Sequence, residues 1–366
     1  MENTVHQSIK NAYVIITDLH DTYVKKQNRY SYKDELFIVK QELFRVIEKY
    51  KVLGYNVYLI FLGDIFDRGY LKTFDAVESN NEFICLRNNC SGIYSVIGNH
   101  ELSFYSDNPF YTLVTEIESK KVRNINNKTW APRGTLPVIR VPDVLEDGEV
   151  IFHFNHYATP INPPLSERVN IGLFHQDIVC NEILEQMEQQ LGEHKIWGAT
   201  PIDLDKVSVF RGYRYSFLGH LHKVYGQWNW EDDETGDKSY LYYLASLGRP
   251  NCTEVNDAML ERNFPVVCIE NGRFSAVEDN TFMLPNLASS VKKEVVEMEH
   301  MRYEAQKARK EYRKYKPTED EPIQNVLMRC RNDNQRNICE ELIKASLTTT
   351  EIQIAHQIQK YVGGRN

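Results

Sequence analysis

The sequence predicts an α/β sandwich followed by a helical appendage. Two observations carry the sandwich: short, almost wholly apolar runs that each stop at a cluster of polar residues, and an amphipathic stretch between the first two runs. Apolar runs of this length read as strands buried on both faces. A helix between such strands gives the strand–helix–strand alternation of an α/β sheet.

The first run is Ala12 to Thr17, ending at Asp18. Asp34 to Lys51 follows, with Leu36, Phe37, Val39, Leu43, Val46 and Ile47 at helical spacing. Val57 to Leu62 is the second run, ending at Gly63-Asp64, and Gly92 to Ile97 the third, ending at Gly98-Asn99-His100. Further strands are expected at Glu149–Asn155, Asn170–Phe174, Tyr215–Leu218, Tyr240–Ala245 and Pro265–Ile269. Glu116–Asn127 reads as a polar surface connection and Glu231–Lys238 as a charged turn. From Ser290 the texture changes. Val291, Val295, Met298, Met301, Ala305, Ala308, Tyr312 and Tyr315 recur at spacings of three and four, an amphipathic helix of about seven turns that Pro317 ends. Glu321 to Gly363 reads as further helix. The expected division is a catalytic domain at 1–286 and a helical C-terminal region at 287–366.

No segment approaches the roughly 18 apolar residues of a membrane span, so no membrane partner is expected. Met1 to Asn11 is polar and lacks the apolar core of a secretory signal, which points to the cytoplasm. The seven cysteines are irregularly spaced without a CxxC pair, so neither a zinc knuckle nor a thioredoxin-type site is indicated. A net charge of −8 argues against a protein that coats nucleic acid by bulk electrostatics. The charge is uneven: from Leu287 onward fifteen basic residues face twelve acidic ones, a local +3, which leaves −11 on the remainder. An acidic catalytic part suits a phosphoesterase when bound cations reverse the local field.

Ligands of open α/β sheets gather at the C-terminal ends of strands. Five motifs sit there: Asp18-Leu19-His20, Gly63-Asp64-Ile65-Phe66-Asp67-Arg68, Gly98-Asn99-His100-Glu101, His175 in Leu-Phe-His-Gln-Asp, and Gly219-His220-Leu221-His222. Taken singly, each has an ordinary structural explanation. A lone aspartate caps a helix, and an arginine forms a surface ion pair. Their joint occurrence does not have such an explanation. Histidines, carboxylates and an asparagine carbonyl form a mixed N/O donor set that suits Mn, Fe, Zn or Co over an all-oxygen ion site. Seven convergent ligands exceed what one ion uses, so two ions sharing a carboxylate are expected. Such a pair clamps the attacking and leaving oxygens of a phosphoryl displacement. His153 and His156 lie in or near a strand and read as structure, and His194, His300 and His356 have no motif around them.

The order of these five motifs resembles that of the calcineurin-like metallophosphoesterase superfamily, over roughly residues 12 to 280. The resemblance implies a four-layer αββα sandwich of two mixed sheets. It implies that Asp18, His20, Asp64 and His222 bind one metal, and that Asp64, Asn99, His175 and His220 bind a second, with Asp64 bridging. It further implies that His100 is the catalytic histidine, that Asp67 orients it, and that Arg68 contacts the phosphate. The expected cofactors are two divalent transition-metal ions, manganese first, with Fe, Zn, Co or Mg as alternatives.

Within the superfamily, Ile-Gly-Leu-Phe-His-Gln-Asp-Ile and Tyr243 to Pro250 resemble segments of SbcD-type DNA repair nucleases, which also carry C-terminal helices that dock an SMC-like ATPase. That resemblance implies DNA and such an ATPase as partners; a homodimer is a separate, further expectation. Asp67-Arg68 and Glu101 depart from that type and look like phosphatases. Protein phosphatases, however, lack a final Gly-His-x-His and carry glycine where Asp21 stands. A DNA nuclease is therefore the first expectation and a phosphatase or small-molecule or cyclic-nucleotide phosphodiesterase the second. A non-catalytic scaffold comes third, because the ligand set is intact.

Overall fold

The computed structural model describes residues 8–21, 32–66, 82–103, 114–117, 139–165, 167–176, 178–180, 200–202, 210–222, 226–231, 236–248 and 260–286. The chain divides into two units, Met1–Val296 and Glu297–Asn366. The expected C-terminal helices at 287–366 lie outside the described residues, as does any fourth, helical layer.

The first sheet has seven strands. Its centre is β1 (Lys10–Ile16), β2 (Asn56–Phe61), β3 (Gly92–Ser95) and β5 (Ile139–Val141), paired in parallel, with β4 (Val114–Ile117) parallel at one edge. On the other side β15 (Val266–Glu270) and β16 (Arg273–Glu278) run antiparallel. The second sheet has six strands. Here β7 (Val150–Asn155), β8 (Val169–Phe174), β11 (Tyr215–Leu218) and β13 (Lys238–Tyr243) are parallel, flanked by antiparallel β6 (Val144–Asp147) and β12 (Gly226–Glu231). Two small pairs, β9 (Ile178–Cys180) with β10 (Thr200–Ile202) and β14 (Glu261–Asn263) with β17 (Thr281–Met283), complete the strands. Both large sheets are mixed, as the sequence resemblance implies. One expectation is corrected: Glu116 and Ile117 are not surface connection but the end of β4, held by pairing with Arg140 and Val141.

The continuous apolar character of β1 has a simple cause, since both its faces are buried. Ala12, Val14 and Ile16 pack with Leu36, Val39, Leu43 and Ile47 of helix α1 (Tyr32–Val52). Tyr13 and Ile15 point the other way, with Ile60 and Leu62, onto Phe152, Phe154, Leu173 and Phe217 of the second sheet. Period-two alternation thus feeds two cores, one between helix and sheet and one between the sheets. Ile15 and Ile16 are fully buried, and each such side chain contributes about 1.5–3 kcal/mol relative to an exposed one. Residues 82–89 form helix α2, whose Phe83 and Leu86 join the helix-side core. The short helix α3 (Asn99–Ser103) begins just beyond β3.

Candidate metal centre

The five motifs occupy the ends of parallel strands. Asp18 and His20 follow β1, Asp64 follows β2, Asn99 and His100 open α3 after β3, His175 follows β8, and His220 and His222 follow β11. The chain turns sharply at each. Asp18, His20, Asp64 and His220 have φ of 36°, 45°, 48° and 84°, in the left-handed region that L-residues seldom occupy. Such conformations cost on the order of 1–3 kcal/mol each and persist where the surroundings over-determine them.

Here the surroundings are backbone groups of neighbouring motifs. The His20 N–H donates to Asp64 O at 2.9 Å, and the Leu62 N–H to Ile16 O at 2.7 Å. Asp18 Oδ2 accepts the N–H of His220 at 2.8 Å and the hydroxyl of Thr17. Asp64 Oδ1 accepts the N–H of His100 at 2.9 Å. Each aspartate therefore has one oxygen fixed by backbone and the other turned inward.

The inward atoms form two groups. Asp18, His20, Asp64 and His222 bring one donor atom each within 4.8 Å of one another, and so do Asp64, His175 and His220. In the first group His20 Nε2 and His222 Nε2 approach to 2.7 Å, each 3.8 Å from Asp18 Oδ1, and His20 Nε2 is 3.8 Å from Asp64 Oδ2. In the second, His175 Nε2 lies 3.3 Å from Asp64 Oδ2, 2.9 Å from Asn99 Oδ1 and 3.2 Å from His220 Nδ1. The same oxygen, Asp64 Oδ2, belongs to both groups.

The donor set fits divalent cations. Asp18 Oδ1 is buried without a hydrogen-bond partner among the described residues, an arrangement that costs free energy unless a cation takes the lone pair. His175 Nδ1 lies 2.7 Å from Leu62 O. A proton on Nδ1 satisfies that carbonyl and leaves the Nε2 lone pair facing the site, the tautomer a metal-ligating histidine needs.

Electrostatics point the same way. Burial opposes the charge on Asp64, yet His175, His20 and His100 hold its carboxyl well below the usual range. Burial likewise opposes charge on His175, but Asp64, Asp18 and Glu101 raise it to about 9. His20 is pushed well below its usual value, by burial first and then by His222. The anionic groups thus favour positive charge at His175, while burial and His222 keep it off His20.

His100 stands apart. Its side chain is 31% exposed, against 0–1% for Asp18, His20, Asp64 and His175. Its Nε2 lies 4.0 Å from Asp64 Oδ2, and its ring meets His20 edge-on at 4.9 Å. It lies beside the two groups of donors and is part of neither. Asp67 and Arg68 lie outside the described residues.

Two residues to which the motif reading gave no role in the site lie against it. Glu101 is fully buried, and its carboxylate accepts backbone N–H groups from both the Asp64 and the Gly98 turns. Burial first, then Asp64, pushes it up to about 7. Tyr157 places its ring 5.5 Å from that of His220 and 6.2 Å from that of His175, and its N–H donates to Ile97 O at 2.9 Å. His156 is structural, as expected: it is buried, and Nδ1 accepts the Ile97 N–H at 3.0 Å. His153 is buried too, 2.8 Å from Asn170 Oδ1.

A family model described as calcineurin-like phosphoesterase matches residues 13–224, a span that includes all five motifs. No curated protein sequence matches the chain. Among solved structures, the chain is similar to a 5'-nucleotidase precursor from Thermus thermophilus at 12% identity and a TM-score of 0.38, covering 81% of this chain and 59% of that one. It is similar to a dimetal phosphatase from Danio rerio at 12% identity and a TM-score of 0.38, covering 75% of this chain and 99% of that one. Among the described residues, no helix is long and apolar enough to cross a membrane.

Proposed function

We propose, because the chain belongs to the calcineurin-like phosphoesterase family and is a metal-dependent phosphoester hydrolase, that it cleaves the phosphodiester backbone of DNA with two divalent ions, manganese first among them. The observation that carries the two-ion reading is the shared oxygen: Asp64 Oδ2 faces both His20 and His175, at 3.8 and 3.3 Å.

Asp18, His20, Asp64 and His222 would hold one ion, and Asp64, Asn99, His175 and His220 the other. When bound, the pair supplies a nucleophilic water at neutral pH and neutralises charge on the phosphoryl oxygens. The protein's own residues supply the rest. His100, partly exposed beside the two groups, donates a proton to the leaving oxygen, a role that contributes roughly 10²–10⁴-fold. Asp67 orients His100, and Arg68 binds the phosphate bidentately.

The choice of DNA rests on sequence. His175-Gln176-Asp177 and the Tyr243–Pro250 segment resemble SbcD-type nucleases. The basic residues Lys292, Lys293, Arg302, Lys307, Arg309, Lys310, Arg313 and Lys314 would meet DNA phosphates, with an SMC-like ATPase docked on the same C-terminal region. A second reading, a phosphatase or small-molecule phosphodiesterase, is favoured by Asp67-Arg68 and Glu101. The deciding experiment offers Mn²⁺-loaded protein labelled DNA and a chromogenic phosphodiester in parallel. Cleavage of both supports the nuclease. Cleavage of the small ester with intact DNA selects the second reading.

A further inference from the structure

We infer that Glu101 is a positioning residue for the second metal ion: its carboxylate fixes the turn that carries Asp64 against the turn that carries Asn99. This rests on the two-ion reading above.

Glu101 is fully buried in α3. Its Oε2 accepts the N–H of Gly98 at 2.8 Å and that of Asp64 at 2.9 Å, and its Oε1 accepts the N–H of Ile65 at 2.8 Å. The bond to Gly98 is the backward reach of a helix-capping glutamate to the start of its own helix. The other two bonds leave the helix for a different strand end. One carboxylate therefore ties its own motif to the backbone of Asp64 and Ile65, 37 and 36 residues earlier in sequence.

The two turns touch backbone to backbone. A Cβ on Gly63 would lie 2.9 Å from both N and Cα of Gly98, and one on Gly98 would lie 2.7 Å from Glu101 Oε2 and 2.5 Å from the Asp64 nitrogen. Asp64, with φ of 48°, holds a left-handed conformation that the surroundings must over-determine, whereas Gly63, with φ of 99°, adopts its own freely. The return bond from the His100 N–H to Asp64 Oδ1, 2.9 Å, closes the link from the opposite direction. The product is the placement of Asp64 Oδ2 and Asn99 Oδ1, 3.3 and 2.9 Å from His175 Nε2.

The two ion sites depend on this tie unequally. Both tied turns feed the second group, through Asp64 and Asn99. Only Asp64 feeds the first, whose Asp18 is held by the His220 N–H and Thr17. The chemistry also asks for a carboxylate. Three N–H groups converge on two oxygens, and charge-assisted bonds of this kind are roughly twice as strong as neutral ones. The amide of Gln would set its own N–H₂ against one of those donors. Aspartate would keep the charge but reach about 1.5 Å less.

The test is a Mn²⁺ titration of the full chain and of Glu101→Gln. Calorimetry gives the two affinities, and electron paramagnetic resonance distinguishes a spin-coupled pair from isolated ions. The expected result is two ions in the parent chain, and in the variant a second affinity weakened about 10–100-fold, the scale of lost outer-shell contacts, with the first, which draws only Asp64 from the tied turns, weakened less. The coupled spectrum then gives way to that of isolated ions. Circular dichroism establishes that the variant is folded. If it is not, Glu101→Asp is read in its place, with a smaller but same-signed loss expected. Equal second-ion affinity in the folded variant overturns the role of Glu101. Equal weakening of both ions reduces it to general stability and overturns it as well. A parent chain that binds at most one ion overturns the two-ion reading itself.

Discussion

Asp18 Oδ2 accepts the backbone N–H of His220 at 2.8 Å, a bond between residues 202 apart in sequence. The first and last motifs are thereby locked together across the two sheets, and Asp18 Oδ1 is left facing the histidines. The donor groups of the candidate site are thus aimed by backbone groups of other motifs.

Gly219→Ala tests that aim without removing a ligand. A Cβ at this position would crowd Thr17 Oγ1 and come 2.6 Å from Asp18 Oδ2, the two atoms that meet on the fixed side of the carboxylate. The expected outcome is a Mn²⁺ affinity lower by about 10–100-fold with the fold retained. Metal titration beside a thermal unfolding curve checks it, and an unchanged affinity would show that the position of Asp18 is tolerant.

His100→Ala separates proton transfer from metal binding. The partly exposed ring is beside the ligand group but is not needed to complete it. The variant is expected to keep its metal content and lose about 10²–10⁴-fold in kcat. Asp67→Asn should lose less if, as proposed, it serves to orient His100. Loss of metal from His100→Ala would move His100 into the ligand set.

Asp64→Asn and His20→Ala should differ in kind. Asp64 Oδ2 faces both groups, at 3.8 Å from His20 and 3.3 Å from His175, whereas His20 belongs to one. Elemental analysis after Mn²⁺ loading should show the Asn variant losing both ions and the His20 variant losing chiefly one. An Asp64→Asn protein that retains one ion at full affinity would remove the bridge.

DNA binding, on the nuclease reading, should be steeply salt-dependent. A contact with six to ten phosphates loses about 10³–10⁵ in affinity between 50 and 200 mM salt. Cleavage of a small chromogenic phosphodiester should change little over the same range. Parallel binding and turnover assays check this, and a flat DNA profile would place the polyanion elsewhere than on a basic surface.

The strands that carry ligands were legible because both their faces are buried. Ile15 and Ile16 feed different cores, so the whole run is apolar, and it stops where Asp18 turns. Helix α1 was legible from Leu36, Val39, Leu43 and Ile47 on one face. The flanking strands were not. In β6 and β16 exposed residues alternate with half-buried ones, and these strands exist through pairing with β7 and β15. That Asp18, His20, Asp64, His175, His220 and His222 come together could be read from their motifs, which end successive parallel strands. The part played by Glu101 could not, because its three partners are backbone N–H groups whose convergence only the folded chain creates.

The most direct test of the central claim is the rate of phosphodiester hydrolysis by metal-stripped protein as Mn²⁺ is returned in measured equivalents. With bis(p-nitrophenyl) phosphate as substrate, two ions sharing Asp64 predict no turnover without metal, and activity that continues to rise through the second equivalent and then levels. Activity complete at one equivalent, or turnover that persists in the stripped protein, would contradict it.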